Sequence, residues 1–492
     1  MLEPCDLDAV AARRAIGARE LSPVELVRSC IARIEAVDPA VNAMVARDFE
    51  RALTAARAAE RALMNGAPLG PLHGLPLGVK DLVDAAGLPT TFGSALFRDN
   101  VAAADEGVVA RLRAAGAIVL GKTNTPEWGA GGNTRNALHG ATGNPHDPTR
   151  SAAGSSGGSA AALACGMVPL ATGSDTAGSL RTPAAYCGIV GFRPTPGLIP
   201  SERRNMAWIP LSTLGPMART VPDLDLMLGA MAGHDARDPL NVFAGERRSL
   251  DRSDPFDLRQ LRIAASPDLG FALVEPGIRA TFGDKLQRVA GLFGDCRIVH
   301  PDCSGADEAF EVLRAVLFLG RHRSLLAEDP QHLGATVAGN VEAGLRYTAV
   351  DVAQALEAQT ALYRRWQTFF AETDLLLTPA VTVSPRAWRE PYPASIDGRP
   401  TRTYFHWLAL AYAVTLAGHP ALSLPLGRDH AGMPFGLQIV GPRGGDARVL
   451  AAAAALEERL AQDPDLARPR PDLDALRRAP ALASMPGFSE PI

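Results

Sequence analysis

Near the N-terminus, Val27, Ile31 and Ile34 repeat at helical spacing, with Leu26 and Cys30 beside them. Ahead of that run, Ser22, Pro23 and Glu25 have the chemistry of the N-cap, first and third positions of a capping box, and Pro39 is expected to end the helix. A second, Ala-rich helix is predicted over about 48–64, stopping at Asn65-Gly66. Beyond His73 the pattern changes. LPLGVKDLVD reads as a short strand entering a turn, 105–115 as a helix with Val108, Val109 and Leu112 on one face, and AIVL as a buried strand. Gly-rich loops, a helix at about 159–165 and a strand VPLAT come next. LRIAAS, CRIVH, DLLLTPAV, LSLPLG and FGLQIVG are further strand-like runs, set among helices at about 277–293, 306–371 and 448–460. Such alternation predicts an α/β fold. No internal repeat or clean linker divides the chain, so one large domain is expected although 492 residues would allow about three.

Composition narrows the partners. Lys plus Arg number 49 against 53 Asp plus Glu, a net charge of −4, so no basic excess points to a nucleic-acid backbone. With 47% hydrophobic and 21% charged residues the chain is globular rather than disordered. Only 5% is aromatic, which leaves Ala, Leu and Val to build the core. Six cysteines with no CxxC pair make no disulfide framework, and a reduced, cytoplasmic compartment is expected. The N-terminus lacks the basic head and apolar run of a secretory signal, and no apolar stretch is long enough to cross a bilayer. Histidines are scattered without an HExxH pair, so no metal is expected.

Two short motifs fail on context. Gly116 to Thr123 matches the phosphate-loop pattern GxxxxGK[ST], yet its middle, Ala-Ile-Val-Leu, favours a strand over a loop of exposed N–H groups, and no clear helix follows. Gly154-Ser155-Ser156-Gly157-Gly158 matches the nucleophile elbow GxSxG, but polar HDPTRSAA precedes it where an apolar strand is needed. Asp374 and His419 lie downstream as acid and base, and nothing in their surroundings singles them out. A longer constellation, from Ser151 to Thr195, places serines in Gly-dense turns at Ser155 and Ser179. The run Asp175-Thr176-Ala177-Gly178-Ser179 is small-residue backbone able to aim consecutive N–H groups at a developing oxyanion.

That constellation resembles the amidase signature family. GPLHGLPLGVKDLVD at 70–84, GKTNTPEWG, GATGNPHDPTRS, GPMARTVPDLDLML and GMPFGLQIVGP carry the resemblance further, over roughly residues 5–465. It implies a large twisted mixed β-sheet covered on both faces by helices. A single amidase domain would occupy 1–470, with an N-terminal helical cap at about 5–66, a signature core at about 70–235 and a C-terminal tail at 471–492. It also implies a Ser-cisSer-Lys triad: Ser179 as nucleophile, Ser155 as a bridging serine after a cis peptide, and Lys80 as base. The N–H groups of Thr176, Ala177, Gly178 and Ser179 would form the oxyanion hole, and Asp175 with Arg181 a buried pair fixing the turn. Ala177 and Ala153 stand where the family often has Gly, so altered loop geometry is expected.

The implied reaction is hydrolysis of a small carboxamide or anilide through an acyl-enzyme, without cofactor. Lys80 serves as base only when neutral, which needs its pKa lowered from near 10.4 to about 7–8, or about 4 kcal/mol. Burial among Leu77, Val79 and Leu82 would act in that direction. The alternative is a glutamine-dependent tRNA amidotransferase, with this chain as its amidase component. The expected partner is a small amide, with neither nucleic acid nor membrane, and a homodimer is left open. The substrate pocket is expected from 203–214, 317–347 and 388–407, with Met206, Trp208, Leu319 and Trp407 as apolar candidates.

Overall fold

The computed structural model describes residues 3–241 and 256–488. Its centre is an 11-stranded mixed sheet. The strands are β1 (Met44–Arg47), β2 (Pro76–Lys80), β3 (Ile118–Thr123), β4 (Leu170–Asp175), β5 (Val190–Arg193), β6 (Thr213–Ala218), β7 (Arg262–Ala265), β8 (Asp295–Ile298), β9 (Leu375–Pro379), β10 (Ala421–Arg428) and β11 (Pro434–Val440). Their spatial order is β1-β3-β2-β4-β6-β5-β10-β11-β9-β7-β8. β3, β2 and β4 run parallel, whereas β6 is antiparallel to β4. Helices cover both faces, giving the α/β architecture that the alternating pattern predicts. Among the described residues no helix is long and apolar enough to cross a membrane.

Local chemistry sets the element ends. The helix α1 (Pro23–Val41) starts on the expected capping box: Val24 N–H donates to Ser22 Oγ at 3.0 Å, and Ser22 N–H to Glu25 Oε2 at 2.9 Å. Pro39 lies inside this helix instead of ending it. So close to the C-terminus its missing N–H removes a single bond of the last turn. Buried Val37, Ala40 and Val41 hold the turn in place, and left-handed Asn42 (φ 54°) closes it. α2 (Phe49–Met64) is capped by Asp48 and left through Gly66, at φ +71°.

The strands nearest the site are buried except at Ser174 of β4, and glycine extends two of them beyond the apolar runs. β3 continues through Gly121-Lys122-Thr123, because a Cβ on Gly121 would run into the Ala46 carbonyl of β1. The phosphate-loop pattern is therefore strand throughout its second half. β4 starts at Leu170, later than VPLAT, and runs on through Gly173-Ser174 to Asp175. Without a side chain, Gly173 lets Leu180, Met217 and Ser156 close onto the strand. One apolar cluster runs from Cys5 to Leu476. The last described segment packs on the body of the protein: 473–478 is helical, Leu482 is buried against Ala141 and Trp388, and Phe488 lies over Gly140.

Candidate active site

Lys80 ends β2 with its side chain fully buried. Its backbone N–H donates to Thr172 Oγ1 of β4 at 2.9 Å, which fixes the strand end. The Nζ lies 2.7 Å from Ser155 Oγ, 2.9 Å from Ser156 Oγ and 3.0 Å from Ser174 Oγ. No carboxylate comes within ion-pair distance among the described residues. Burial lowers the Lys80 pKa to about 7, against the pull of Asp175 in the other direction. The Gly154–Ser155 peptide is cis, and Ala153 just before it has φ +58°. Ser155 leads into α3 (Gly157–Ala164), the Ala-rich helix read from the sequence.

The second serine sits on a turn built by a buried carboxylate. Asp175, at the end of β4, takes a two-pronged contact from Arg181: Nη2 to Oδ1 at 2.9 Å and Nε to Oδ2 at 3.0 Å. Arg193 adds a second guanidinium, with Nη1 2.6 Å from the Asp175 carbonyl and 3.3 Å from Oδ1. Burial alone would raise the Asp175 pKa, but Arg181 and Arg193 outweigh it and hold the carboxyl well below its usual range. Asp175 also accepts from Gly178 N–H (2.9 Å) and Leu180 N–H (3.2 Å), which curls residues 175–180 around it. Gly178 is required in that curl: its φ is +107°, and a Cβ would lie 2.6 Å from Ala411 Cβ and 2.8 Å from Thr182 Oγ1.

One of the four N–H groups expected to receive an oxyanion is already engaged in this turn. The Gly178 N–H is committed to Asp175, whereas those of Thr176, Ala177 and Ser179 make no hydrogen bond within the described residues. The same three residues line a cavity of about 200 Å³, and Gly178 does not. Ser155 and Ser174 open onto this cavity as well. Ser179 and Ser155 thus face one space, but no hydrogen bond joins their hydroxyls here.

The pocket expectations are partly met. Met206 and Leu214 from the first predicted segment, Leu317 and Phe318 from the second, and Tyr404 and Phe405 from the third line the cavity. Trp208, Leu319 and Trp407 do not. Trp208 is 77% exposed, and Trp407 is buried over Gly132. Leu319 is on the helix α4 (Ala306–Glu328), but on the side turned to Gly344 of a neighbouring helix. Asp374 and His419 are tied up elsewhere, Asp374 with Arg262 and Arg448, and His419 with the Gly441 carbonyl. Among the described residues, no group of three or more His, Cys, Asp or Glu could hold a metal ion.

Sequence reasoning missed Ser174, Arg193 and the contact of Ser156 with Lys80. In the sequence Ser156 stands beside Ser155 and reads as part of an elbow. Ser174 had one signal, a polar residue at the end of a buried strand just before Asp175. Nothing local marked Arg193, which reaches Asp175 from β5 across β6.

Known proteins resemble most of the chain. The family model described as "Amidase" matches residues 25–450. An acylamidase of Rhodococcus erythropolis is 37% identical over 460 residues, covering 92% of this chain and 95% of that protein. A component of the glutamyl-tRNA(Gln) amidotransferase of Acidothermus cellulolyticus is 36% identical over 477 residues, covering 91% and 93%. Among solved structures, a bacterial aryl acylamidase of the amidase signature family superposes with a TM-score of 0.87 at 28% identity, covering 96% and 99%. On this sequence match, this sheet and this superposition, the chain belongs to the amidase family, hydrolases of the carbon–nitrogen bonds of linear amides.

Proposed function

We propose that the protein hydrolyses a small carboxamide or anilide, with Ser179 as nucleophile, Ser155 as proton relay and Lys80 as base. The observation that carries this reading is a buried lysine with no carboxylate partner among the described residues, 2.7 Å from a serine that shares a cavity with Ser179. A neutral amine can accept the Ser155 proton while Ser155 takes that of Ser179, which then attacks the amide carbonyl. The free N–H groups of Thr176, Ala177 and Ser179 would receive the oxyanion. On collapse the proton returns through Ser155 to the leaving nitrogen, and water repeats the cycle on the acyl-enzyme. Arg181 and Arg193 keep Asp175 ionised, and Asp175 in turn holds the turn bearing Ser179.

The acylamidase and aryl acylamidase relatives support a free-standing amidase, as do the apolar walls at Phe92, Trp128, Met206 and Leu317. The amidotransferase relatives support a second reading, in which the chain releases ammonia from glutamine inside a complex. A serine-directed phosphonate tests the site: its adduct should map by mass spectrometry to Ser179, and a label on Ser156 would return the nucleophile to the elbow motif. Turnover of simple amides by the purified chain favours the first reading. Glutamine hydrolysis that requires added partner chains favours the second.

A further inference from the structure

One wall of the cavity is formed by α4, whose residues Arg314, Leu317, Phe318, Arg321 and His322 all face the space. Their spacing of three, four and seven residues places them on one face of the helix. Arg314 is 5% exposed and forms no ion pair among the described residues. The acids one and two turns earlier, Glu311 and Asp307, are held by Arg402 at 3.4 and 2.9 Å. The guanidinium lies over the rings of Phe318, Tyr404 and Phe405 at 4.8, 5.1 and 5.3 Å. Nε and Nη2 donate to the Tyr404 hydroxyl, the former at 2.9 Å, while Nη1 has no partner among the described residues. A guanidinium has only donors to offer, so one caged by aromatic rings and lacking a counter-charge is incomplete.

Tyr404 reinforces the point. Its oxygen accepts from Arg314 and also from Asn340 Nδ2 at 2.7 Å. With its acceptor capacity taken, what the hydroxyl has left is its own proton, for which no described residue supplies an acceptor. At the cavity mouth Arg321 lies 5.1 Å over the Trp128 ring and forms no ion pair among the described residues either. His322, packed against Trp128 and Phe318, is buried with Nδ1 unbonded, and burial with Arg321 nearby lowers its pKa to about 3. The one carboxylate lining the cavity among the described residues is Glu106, which burial and then Glu202 push up to about 7.

Resting on the amidase reading of the serine side, we propose that the substrate is an amide carrying a carboxylate at its far end, received by Arg314 and the Tyr404 hydroxyl with Arg321 at the entrance. The Arg314–Tyr404 end offers donors only, and the cavity's one carboxylate among the described residues, Glu106, acts on Arg321, so a monoamide of a dicarboxylic acid fits this end better than glutamine does. The aromatic cage and Leu317 would hold the apolar span between the two ends.

Matched pairs test this: 4-methylbenzamide against the monoamide of terephthalic acid, hexanamide against that of adipic acid, and glutamine as a third arm. The carboxylate member of each pair should have the higher kcat/KM by about tenfold or more, the effect of one to two charge-assisted hydrogen bonds. Arg314→Met should bring that ratio close to one, Arg314→Lys should restore part of it, and Arg321→Met should lower it less. A merely structural Arg314 would depress both members of a pair alike and leave the ratio standing, which overturns the proposal. So would a preference for the neutral member or for glutamine. Calorimetric titration of Ser179→Ala with each pair separates this from the catalytic reading. Tighter binding of the carboxylate member, lost in Ser179→Ala/Arg314→Met, supports the anion subsite even where turnover fails. Equal binding of both members overturns it even where turnover succeeds.

Discussion

Two lysines lie on neighbouring strands, both fully buried and a register step apart: β2 pairs with β3 through Val79 opposite Lys122 and Lys80 opposite Thr123. Lys122 Nζ is 3.3 Å from Asp81 Oδ1 and also meets Thr90 Oγ1 at 2.8 Å and the Pro89 carbonyl at 3.1 Å. Lys80 meets only serine hydroxyls among the described residues. Burial lowers both pKa values, but Asp81 directly opposes the shift at Lys122, whereas only the more distant Asp175 opposes it at Lys80. The same side chain at the same depth is thus paired with a carboxylate on one strand and surrounded by hydroxyls on the next. The difference lies in what sits opposite the nitrogen.

The largest expected effect breaks the serine side of this contrast. Ser179→Ala should lower kcat by on the order of 10⁵-fold or more with the fold intact, as removal of a covalent nucleophile does. Lys80→Met should cost about 10³–10⁴-fold in kcat/KM, the scale of lost general-base catalysis, with acylation hit hardest in single-turnover kinetics. Lys122→Met should behave in the opposite way, losing about 3 kcal/mol in denaturant unfolding because buried Asp81 loses its lysine counter-charge and keeps, among the described residues, only Thr91 and, at 3.9 Å, His139. Its kcat per folded molecule should change little.

Titration sharpens the contrast further. In the wild type kcat/KM should rise with pH through about 7 as Lys80 becomes neutral. Its folded pKa lies below the ordinary 10.5, so the unfolded chain binds the extra proton between these values, and this group's contribution to stability grows as pH rises from about 7 to 10.5. Lys80→Met should therefore flatten that part of the stability–pH profile. Ser174→Ala removes one oxygen that stabilises the ammonium, so the kinetic pKa should fall by a fraction of a unit. The smallest effect expected is in the turn carrying Ser155. Ala153 is held at φ +58°, so Ala153→Gly should relieve about 1 kcal/mol of left-handed strain in thermal unfolding.

The chain's own residues made much of this legible. Ser22 and Glu25 announced α1, alternating apolar runs announced the sheet, and the Lys80, Ser155 and Ser179 motifs announced the family. Local spacing misjudged Pro39, because whether a helix survives a proline near its end depends on what packs around it. It also chose Trp208, Leu319 and Trp407 for the pocket, since large apolar residues look alike whether they face a cavity, a neighbouring helix or solvent.

The sequence by itself determined which groups are available: a lysine ending a buried strand, serines in glycine-rich turns, and an aspartate two positions ahead of the Ala177-Gly178 step. Only the tertiary structure decided their chemistry. Arg193 reaches Asp175 from a strand that is not its neighbour, Asp81 sits beside one buried lysine and not the other, and Arg314 faces the cavity without an ion pair among the described residues. The field at a buried charge falls steeply with distance, and those distances are fixed by strand order and packing between residues far apart in the chain.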